Sequence, residues 1–147
     1  MLHGWLTRQP DLRGVWNVEI RSTYVDPKTN LRIEPVQGYA QIDQTSTSFC
    51  LRIYTNESKS KTIAHAFEND QHVYRLAIVY ENEPAIELRE NISPLHKGSA
   101  IFSARGHKPE SFAGDYWTER KTNGEIVLRD RRKGEINSFE EGGKIFK

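Results

Sequence analysis

Hydrophobic and polar residues alternate with a period of two along most of the chain, which is the pattern of half-buried β-strands. Between positions 14 and 24, one face carries Trp16, Val18, Ile20, Ser22 and Tyr24. Comparable stretches occur at 36–44, 46–55, 62–66, 73–80, 96–104 and 112–120, separated by polar or Gly-rich turns. With no sustained helical periodicity, the pattern predicts an all-β fold, a compact antiparallel β-barrel of about eight strands. An open sandwich is the alternative.

Asn123-Gly124 separates two runs rich in aromatic and β-branched residues. It predicts a tight hairpin with these two residues at the central turn positions, because both positions need a positive φ. On the incoming strand, one face carries Phe112, Gly114, Tyr116, Thr118 and Arg120. Neither face of that strand is plainly apolar, and a strand with a polar interior face is typical of a barrel that lines a cavity. In the stretch at 62–66, we expect Thr62, Ala64 and Ala66 to share the inner face.

The length of 147 residues predicts one domain. We expect a lead-in at 1–11, the barrel at 12–132 and a charged C-terminal tail at 133–147. The tail could form a short docked helix or be partly disordered, and its charge and glycines favour disorder. Residues 85–95 could form a short strand or a loop.

Composition narrows the environment and the partners. Cys50 is the only cysteine, which excludes an internal disulfide and agrees with a reducing compartment. The formal net charge of +1 gives no global field that would attract DNA, RNA or an acidic membrane. No apolar run approaches the roughly 18 residues needed to span a bilayer, and the N-terminus has no signal-peptide pattern.

No pattern in the sequence predicts catalysis. The five histidines lack paired metal-ligand spacing, so we expect no metal site and no cofactor. A nucleophile elbow, a phosphate-binding Gly-rich loop and an HExxH motif are all absent from the sequence. An enzyme built on this barrel would need an acid/base pair that the sequence does not reveal.

Polar and aromatic residues in phase with apolar ones are the candidate binding residues. They are Tyr24, Thr55, Ser58, Ser60, Tyr80, Tyr116, Thr118 and Arg120. Alternatively, such residues cap the ends of the barrel, where strands emerge into water. Arg120 is the sharpest candidate, because a guanidinium that points inward needs an anion from the protein or a ligand phosphate.

Several stretches, in their order along the chain, resemble one bacterial family. They are Leu12-Arg13-Gly14-Val15-Trp16, Ile42-Asp43-Gln44-Thr45-Ser46, Thr55-Asn56-Glu57-Ser58-Lys59-Ser60, His96-Lys97-Gly98-Ser99-Ala100, and Gly114-Asp115-Tyr116-Trp117-Thr118-Glu119-Arg120 with Gly124. The family is the SMODS-associating, two-transmembrane, β-strand-rich effector family of CBASS anti-phage operons.

This resemblance implies a barrel of about eight strands that binds a cyclic dinucleotide made by a partner nucleotidyltransferase. It further implies that binding drives self-association of a membrane-anchored effector, which then damages the inner membrane. The two N-terminal transmembrane helices of that family are not in this sequence. We therefore expect the chain to be the cytosolic sensor of a longer protein of the bacterial inner membrane.

The candidate residues suit such a ligand. Arginine can pair with phosphate oxygens through two parallel hydrogen bonds, tyrosine rings can stack on bases, and hydroxyls can bond to either. The alternative is a calycin-like carrier of a small apolar ligand, whose cavity should be mostly apolar.

Overall fold

The computed structural model describes residues 9–84, 96–119 and 121–147. Eight strands form a closed antiparallel barrel in the order β1-β10-β9-β8-β7-β6-β5-β4, and β2 and β3 form a separate two-stranded pair. The predicted all-β barrel is confirmed. The elements are β1 Gly14–Ser22, β2 Val25–Asp26, β3 Leu31–Arg32, β4 Val36–Gln44, β5 Phe49–Thr55, β6 Ser58–Asp70, β7 Val73–Pro84, β8 His96–Arg105, β9 Ser111–Thr118, β10 Asn123–Arg132 and the helix α1 Phe139–Ile145.

The period-two pattern places one face of each strand inside the barrel, because successive side chains point to opposite faces. The interior core is built from the in-phase apolar residues, among them Trp16, Val18, Ala40, Ile42, Leu51, Ile53, Leu76, Ile78, Phe102 and Leu128. Two edge-to-face aromatic contacts, Trp16 on Phe112 and Phe102 on Phe112, fill its centre. The predicted inner face of β1 is confirmed for Trp16, Val18 and Ile20, whereas Tyr24, which follows the strand, is exposed.

Strand β6 departs from its predicted phase. A β-bulge lies between Thr62 and Ala64 in its pairing with β7. Thr62 is buried, but Ala64 and Ala66 are exposed, and Phe67 packs against the core instead. The expectation of a common inner face was wrong beyond Thr62, because one extra residue in a strand reverses the side-chain phase after it.

The hairpin between β9 and β10 also differs from the prediction. Asn123 and Gly124 lie within β10, paired with Trp117 and Tyr116 of β9. The turn lies before them, where the Thr118 N–H donates to the Thr122 carbonyl at 2.9 Å and Lys121 has a positive φ of 64°. The prediction that Asn123-Gly124 forms the turn was wrong. Strand β9 ends at Thr118 and β10 begins at Asn123, so the connection is longer than a two-residue turn.

The N-terminal segment closes one end of the barrel. Leu12 is buried, and its carbonyl accepts a hydrogen bond from the Trp16 indole N–H at 2.9 Å. The Arg131 guanidinium lies 4.5 Å from the centre of the Trp16 ring and donates to the carbonyls of Asp11 and Pro109 at 2.8 and 2.7 Å. Arg131 thus ties the segment before β1 to the loop before β9, and we call this the closed end.

The C-terminal residues form a docked element, which corrects the expectation of disorder. Helix α1 begins after Ser138, whose hydroxyl accepts a hydrogen bond from the Glu141 N–H at 3.1 Å. Ile136 is buried beside Val15 and Tyr54 on the outer wall of the barrel. Aromatic residues spaced through a polar segment supply enough apolar surface to order it once a matching surface exists.

Residues 1–8, the predicted short strand or loop at 85–95, and Arg120 lie outside the described residues. In the parts of the chain that are described, no helix has the length and apolar character needed to cross a bilayer.

Candidate ligand-binding cavity

A cavity of about 230 Å³ opens at the end of the barrel opposite the closed end. Its floor consists of apolar side chains from the barrel core: Ile20, Leu51, Ile53, Ile78, Phe102 and Ile126. Its rim consists mainly of side chains that can hydrogen-bond: Thr55, Glu57, Ser58, Ser60, Asn82, His96, Thr118 and Thr122. We call this space the mouth cavity. An apolar floor with polar groups around the opening is the usual composition of a small-molecule site.

Two tyrosines occupy the wall between floor and rim. Tyr80 on β7 is the register partner of Gly98 on β8, and Tyr116 on β9 is the partner of Gly124 on β10. A Cβ atom added to Gly98 would lie 2.5 Å from the Tyr80 Cζ, and one added to Gly124 would lie 2.8 Å from the Tyr116 Cε1. Each ring therefore lies over a glycine of the neighbouring strand, an arrangement that any larger residue would prevent.

The two tyrosine hydroxyls are protonated at neutral pH. Burial, with a smaller contribution from Tyr116, raises the pKa of Tyr80 to about 12. Burial also raises the pKa of Tyr116, and a hydrogen bond with Ser22 partly offsets that rise. Both phenols can consequently donate as well as accept hydrogen bonds at the cavity.

Three threonine hydroxyls on the rim organise the turns that frame the opening. The Thr55 hydroxyl accepts hydrogen bonds from the N–H groups of Glu57 and Ser58 at 3.2 and 3.0 Å. The Thr118 and Thr122 hydroxyls lie 2.7 Å apart across the base of the β9–β10 turn. These threonines therefore stabilise the loop geometry at the rim as well as lining the cavity.

A further row of polar residues crosses three strands at the rim. Ser60 pairs with Asn82, and Asn82 pairs with His96. The row presents a hydroxyl, an amide and an imidazole in succession, which together offer hydrogen-bond donors and acceptors. Such a row can bond to base edges or to phosphate oxygens.

Few of the residues that line the mouth cavity are ionisable acids or bases in the described part of the chain. Glu57 is the acidic residue among the lining residues there, and His96 is the basic one. Nor does any group of three or more His, Cys, Asp and Glu side chains in the described ranges form a potential metal site.

The structure brings together most of the binding residues that the sequence predicts. Thr55, Ser58, Ser60, Tyr80, Tyr116 and Thr118 all line the mouth cavity. Tyr24 does not: it is 49% exposed and follows the end of β1, where strand alternation no longer sets the direction of a side chain. Arg120 lies outside the described residues.

Four polar lining residues are not among those that the sequence predicts: Glu57, Asn82, His96 and Thr122. Asn82 lies beyond the predicted stretch at 73–80, although it continues the phase of Ile78 and Tyr80 along the longer strand β7. His96 likewise shares the phase of Gly98 on β8. The phase signal was present for these two, whereas Glu57 and Thr122 lie in turns, where no periodicity exists.

The family model described as Cap15, cyclic dinucleotide receptor domain, matches residues 7–130. The matched range includes every residue that lines the mouth cavity and all eight barrel strands except the last two residues of β10. No curated protein matches the chain.

Proposed function

The chain belongs to the family of Cap15 cyclic dinucleotide receptor domains, and on this premise we propose that its mouth cavity is the place where a cyclic dinucleotide binds. Membership supports cyclic dinucleotide sensing in CBASS anti-phage defence, a receptor role rather than a catalytic one.

The observation that carries the proposal is the pair of protonated tyrosines set over Gly98 and Gly124. A cyclic dinucleotide presents two base faces and two phosphates in a compact ring. Tyrosine rings can stack on bases at about 1–3 kcal/mol per base. The row Ser60, Asn82 and His96 lines the same cavity and offers hydrogen-bond partners for the edges of such bases.

The phosphates require positive charge or several hydrogen-bond donors. Arg120 is our candidate for this role on the strength of the sequence pattern, and His96 and the rim hydroxyls are candidates on the strength of their position. The mouth cavity of about 230 Å³ is smaller than the roughly 300–1,000 Å³ of typical ligand pockets. The ligand must therefore protrude from the opening, or the opening must widen.

We further propose that the domain belongs to a membrane-anchored effector of the two-transmembrane, β-strand-rich type, located in the bacterial inner membrane. Binding of the ligand would then promote self-association and membrane disruption by the anchored protein. Without ligand, this chain alone should associate at most weakly. Sedimentation with and without ligand checks this, and a tight ligand-independent tetramer would contradict it.

A carrier of a small apolar ligand is the second candidate, and the apolar floor of the mouth cavity favours it. The polar rim and the two tyrosine hydroxyls count against it, since each would lose hydrogen bonds to water beside an apolar ligand.

Calorimetric titration with a ligand panel separates the two functions. The panel contains cyclic di-AMP, cyclic di-GMP, cyclic GMP–AMP, the linear dinucleotide of each, and a fatty acid. At least one cyclic compound should bind more tightly than its linear counterpart, because the ring is preorganised. Saturable binding of the fatty acid together with no binding of any cyclic compound would favour the carrier.

A further inference from the structure

One seam of the barrel is much shorter than the others. Strands β5 and β6, which are described throughout, pair only through Arg52 with Lys61, Ile53 with Ser60, and Tyr54 with Lys59. Every other neighbouring pair of barrel strands shares at least six register pairs. The β5–β6 seam is therefore the place where the wall can separate at the smallest loss of backbone hydrogen bonds.

This seam forms part of the mouth cavity. Ile53 and Thr55 of β5 and Ser58 and Ser60 of β6 all line it. Separation of the two strands would widen the opening directly, and a ligand larger than about 230 Å³ needs such widening if it is to enter fully.

The C-terminal segment lies on the outside of β4 and β5 and borders β6 across a groove. The outward side chain of Tyr54 is buried with Ile136, next to the inward residues Ile53 and Thr55. Asn137, Ser138, Phe139 and Glu140 share a groove with the β5–β6 turn. Asn137 also borders a second hollow, together with Lys59 and Lys61 of β6. We call residues 133–147 the strap.

The strap is anchored mainly on β4. The Tyr39 ring lies 5.3 Å from that of Phe139 and is stacked on that of Phe146 at 5.4 Å. The Gln41 side-chain oxygen accepts a hydrogen bond from the Ile136 N–H at 2.8 Å. An anchor on β4 together with contacts on Tyr54 holds the β5 side of the seam in position.

The strap has little stability of its own. Helix α1 has seven residues and contains Gly142 and Gly143, whereas isolated helices shorter than about 12–15 residues are marginal even in favourable sequences. Glycine lowers helix stability further. The helix therefore depends on its docking, and a modest change in the wall can release it.

We propose that the strap restrains the β5–β6 seam and that ligand entry into the mouth cavity and strap docking oppose each other. Ligand binding widens the seam, moves the β5–β6 turn outward and weakens the strap contacts on Tyr54. By linkage, an undocked strap tightens ligand binding by the same factor. The opposition between ligand entry and strap docking rests on the proposed function, whereas the restraint of the seam by the strap does not.

Adjacent glycines give a matched pair of variants. A Cβ at Gly142 would collide with the Tyr39 ring, whereas a Cβ at Gly143 would meet only the Tyr39 hydroxyl at 3.8 Å, an ordinary contact. Both substitutions to alanine favour the helix equally. Gly142→Ala should therefore undock the strap, and Gly143→Ala should leave it docked.

Hydrogen exchange and calorimetry on these variants test the inference. Without ligand, the amides of β5 and β6 at the seam should exchange faster in Gly142→Ala than in Gly143→Ala or the wild type.

The ligand experiments use the cyclic dinucleotide that binds the wild type most tightly. Gly142→Ala should bind it about fivefold tighter than the wild type, or more. In the wild type, this ligand should speed exchange at 136–146. Phe146→Ala, which removes the stacking on Tyr39, repeats the test if Gly142→Ala does not fold.

Equal seam exchange in the two alanine variants would overturn the restraint. Wild-type affinity in Gly142→Ala, or greater protection of 136–146 on binding, would overturn the opposition between ligand and strap. If the wild type binds no cyclic dinucleotide, the proposed function fails, and ligand-free seam exchange alone decides whether the strap restrains the wall.

Discussion

Tyr80 is positioned by the fold and is also a residue that we propose to stack on a base of the ligand. Its place is set by Gly98 on the neighbouring strand, and its hydroxyl stays protonated because burial raises its pKa to about 12. The strand pattern predicts that the residue points inward. It does not predict the glycine beneath the ring, because that contact depends on the register of β7 against β8.

Replacement of Tyr80 by alanine should weaken cyclic dinucleotide binding by about 1–3 kcal/mol, or roughly one to two decades in affinity. Tyr80→Phe should retain most of the affinity, since the stacking face remains. Trp117→Ala is the control: Trp117 is an aromatic residue on β9 that is 45% exposed and faces away from the cavity. Calorimetric titration measures all three, and equal losses in Tyr80→Ala and Trp117→Ala would exclude Tyr80 from the site.

The hypothesis that Arg120 binds a phosphate of the ligand rests on the sequence. If it clamps a ligand phosphate, Arg120→Ala removes a charge-assisted hydrogen bond worth about 1.5–3 kcal/mol. Arg120→Lys should recover only part of the affinity, because a point charge cannot reproduce two parallel hydrogen bonds. The thermal stability of the ligand-free protein should hardly fall. Unchanged affinity with a clear loss of stability in Arg120→Ala would instead indicate a structural ion pair.

The two cavity tyrosines should make folding sensitive to alkali. The pKa of Tyr80 is raised from 10.0 to about 12 in the folded protein, so the unfolded chain loses this proton first. The stabilisation is fully present below pH 10 and is lost as the pH rises towards 12. Denaturation curves at several alkaline pH values should show a shallower loss of stability in Tyr80→Phe than in the wild type. Identical slopes would contradict the burial of this phenol.

Strands β5 and β6 show why the presence of a strand can be predicted more easily than its length or its pairing. Alternation locates both strands, but the bulge at Ile63 leaves no mark in the sequence, since Thr62, Ala64 and Ala66 continue a regular pattern. The Asn123-Gly124 pair misleads for a similar reason. Gly124 is needed where its strand approaches the Arg21 carbonyl and the Tyr116 ring, and a tertiary contact of this kind resembles a turn signal in the sequence.

Thr62 continues the β5–β6 seam with its side chain. Its hydroxyl accepts from the Leu51 N–H at 3.1 Å and donates to the Leu51 carbonyl at 3.2 Å. Thr62→Val keeps the shape but leaves these buried groups without this partner, which should lower the free energy of unfolding by about 1–3 kcal/mol. Thr62→Ser should lose less, because it keeps the hydroxyl. Chemical denaturation measures both, and equal stability in the two variants would show that the bridge contributes nothing.

The strap illustrates a limit on predicting elements from composition. Its charge and glycines indicate disorder, and the few apolar residues that order it are effective only because Tyr39 and Tyr54 lie together on the outer wall. Those two tyrosines are register partners on β4 and β5. The docking surface therefore exists only after the barrel has formed.

At the scale of the whole molecule, the two ends of the barrel differ in kind. One end is sealed by the segment before β1 and by Arg131, and the other opens into the mouth cavity. The sequence predicts the barrel and most of the inward residues, but not which end is closed. The seal depends on contacts between residues more than 100 positions apart, such as Asp11 with Arg131.

The asymmetry between the ends provides the most direct test of the central claim. Backbone amide shifts from a heteronuclear NMR titration with the tightest-binding cyclic dinucleotide report on both ends in one experiment. We expect saturable shifts at Ser60, Tyr80, Asn82 and Tyr116 around the mouth cavity, and none at His72 and His107 near the closed end. Saturable shifts that cluster at the closed end and spare the mouth cavity would contradict the claim.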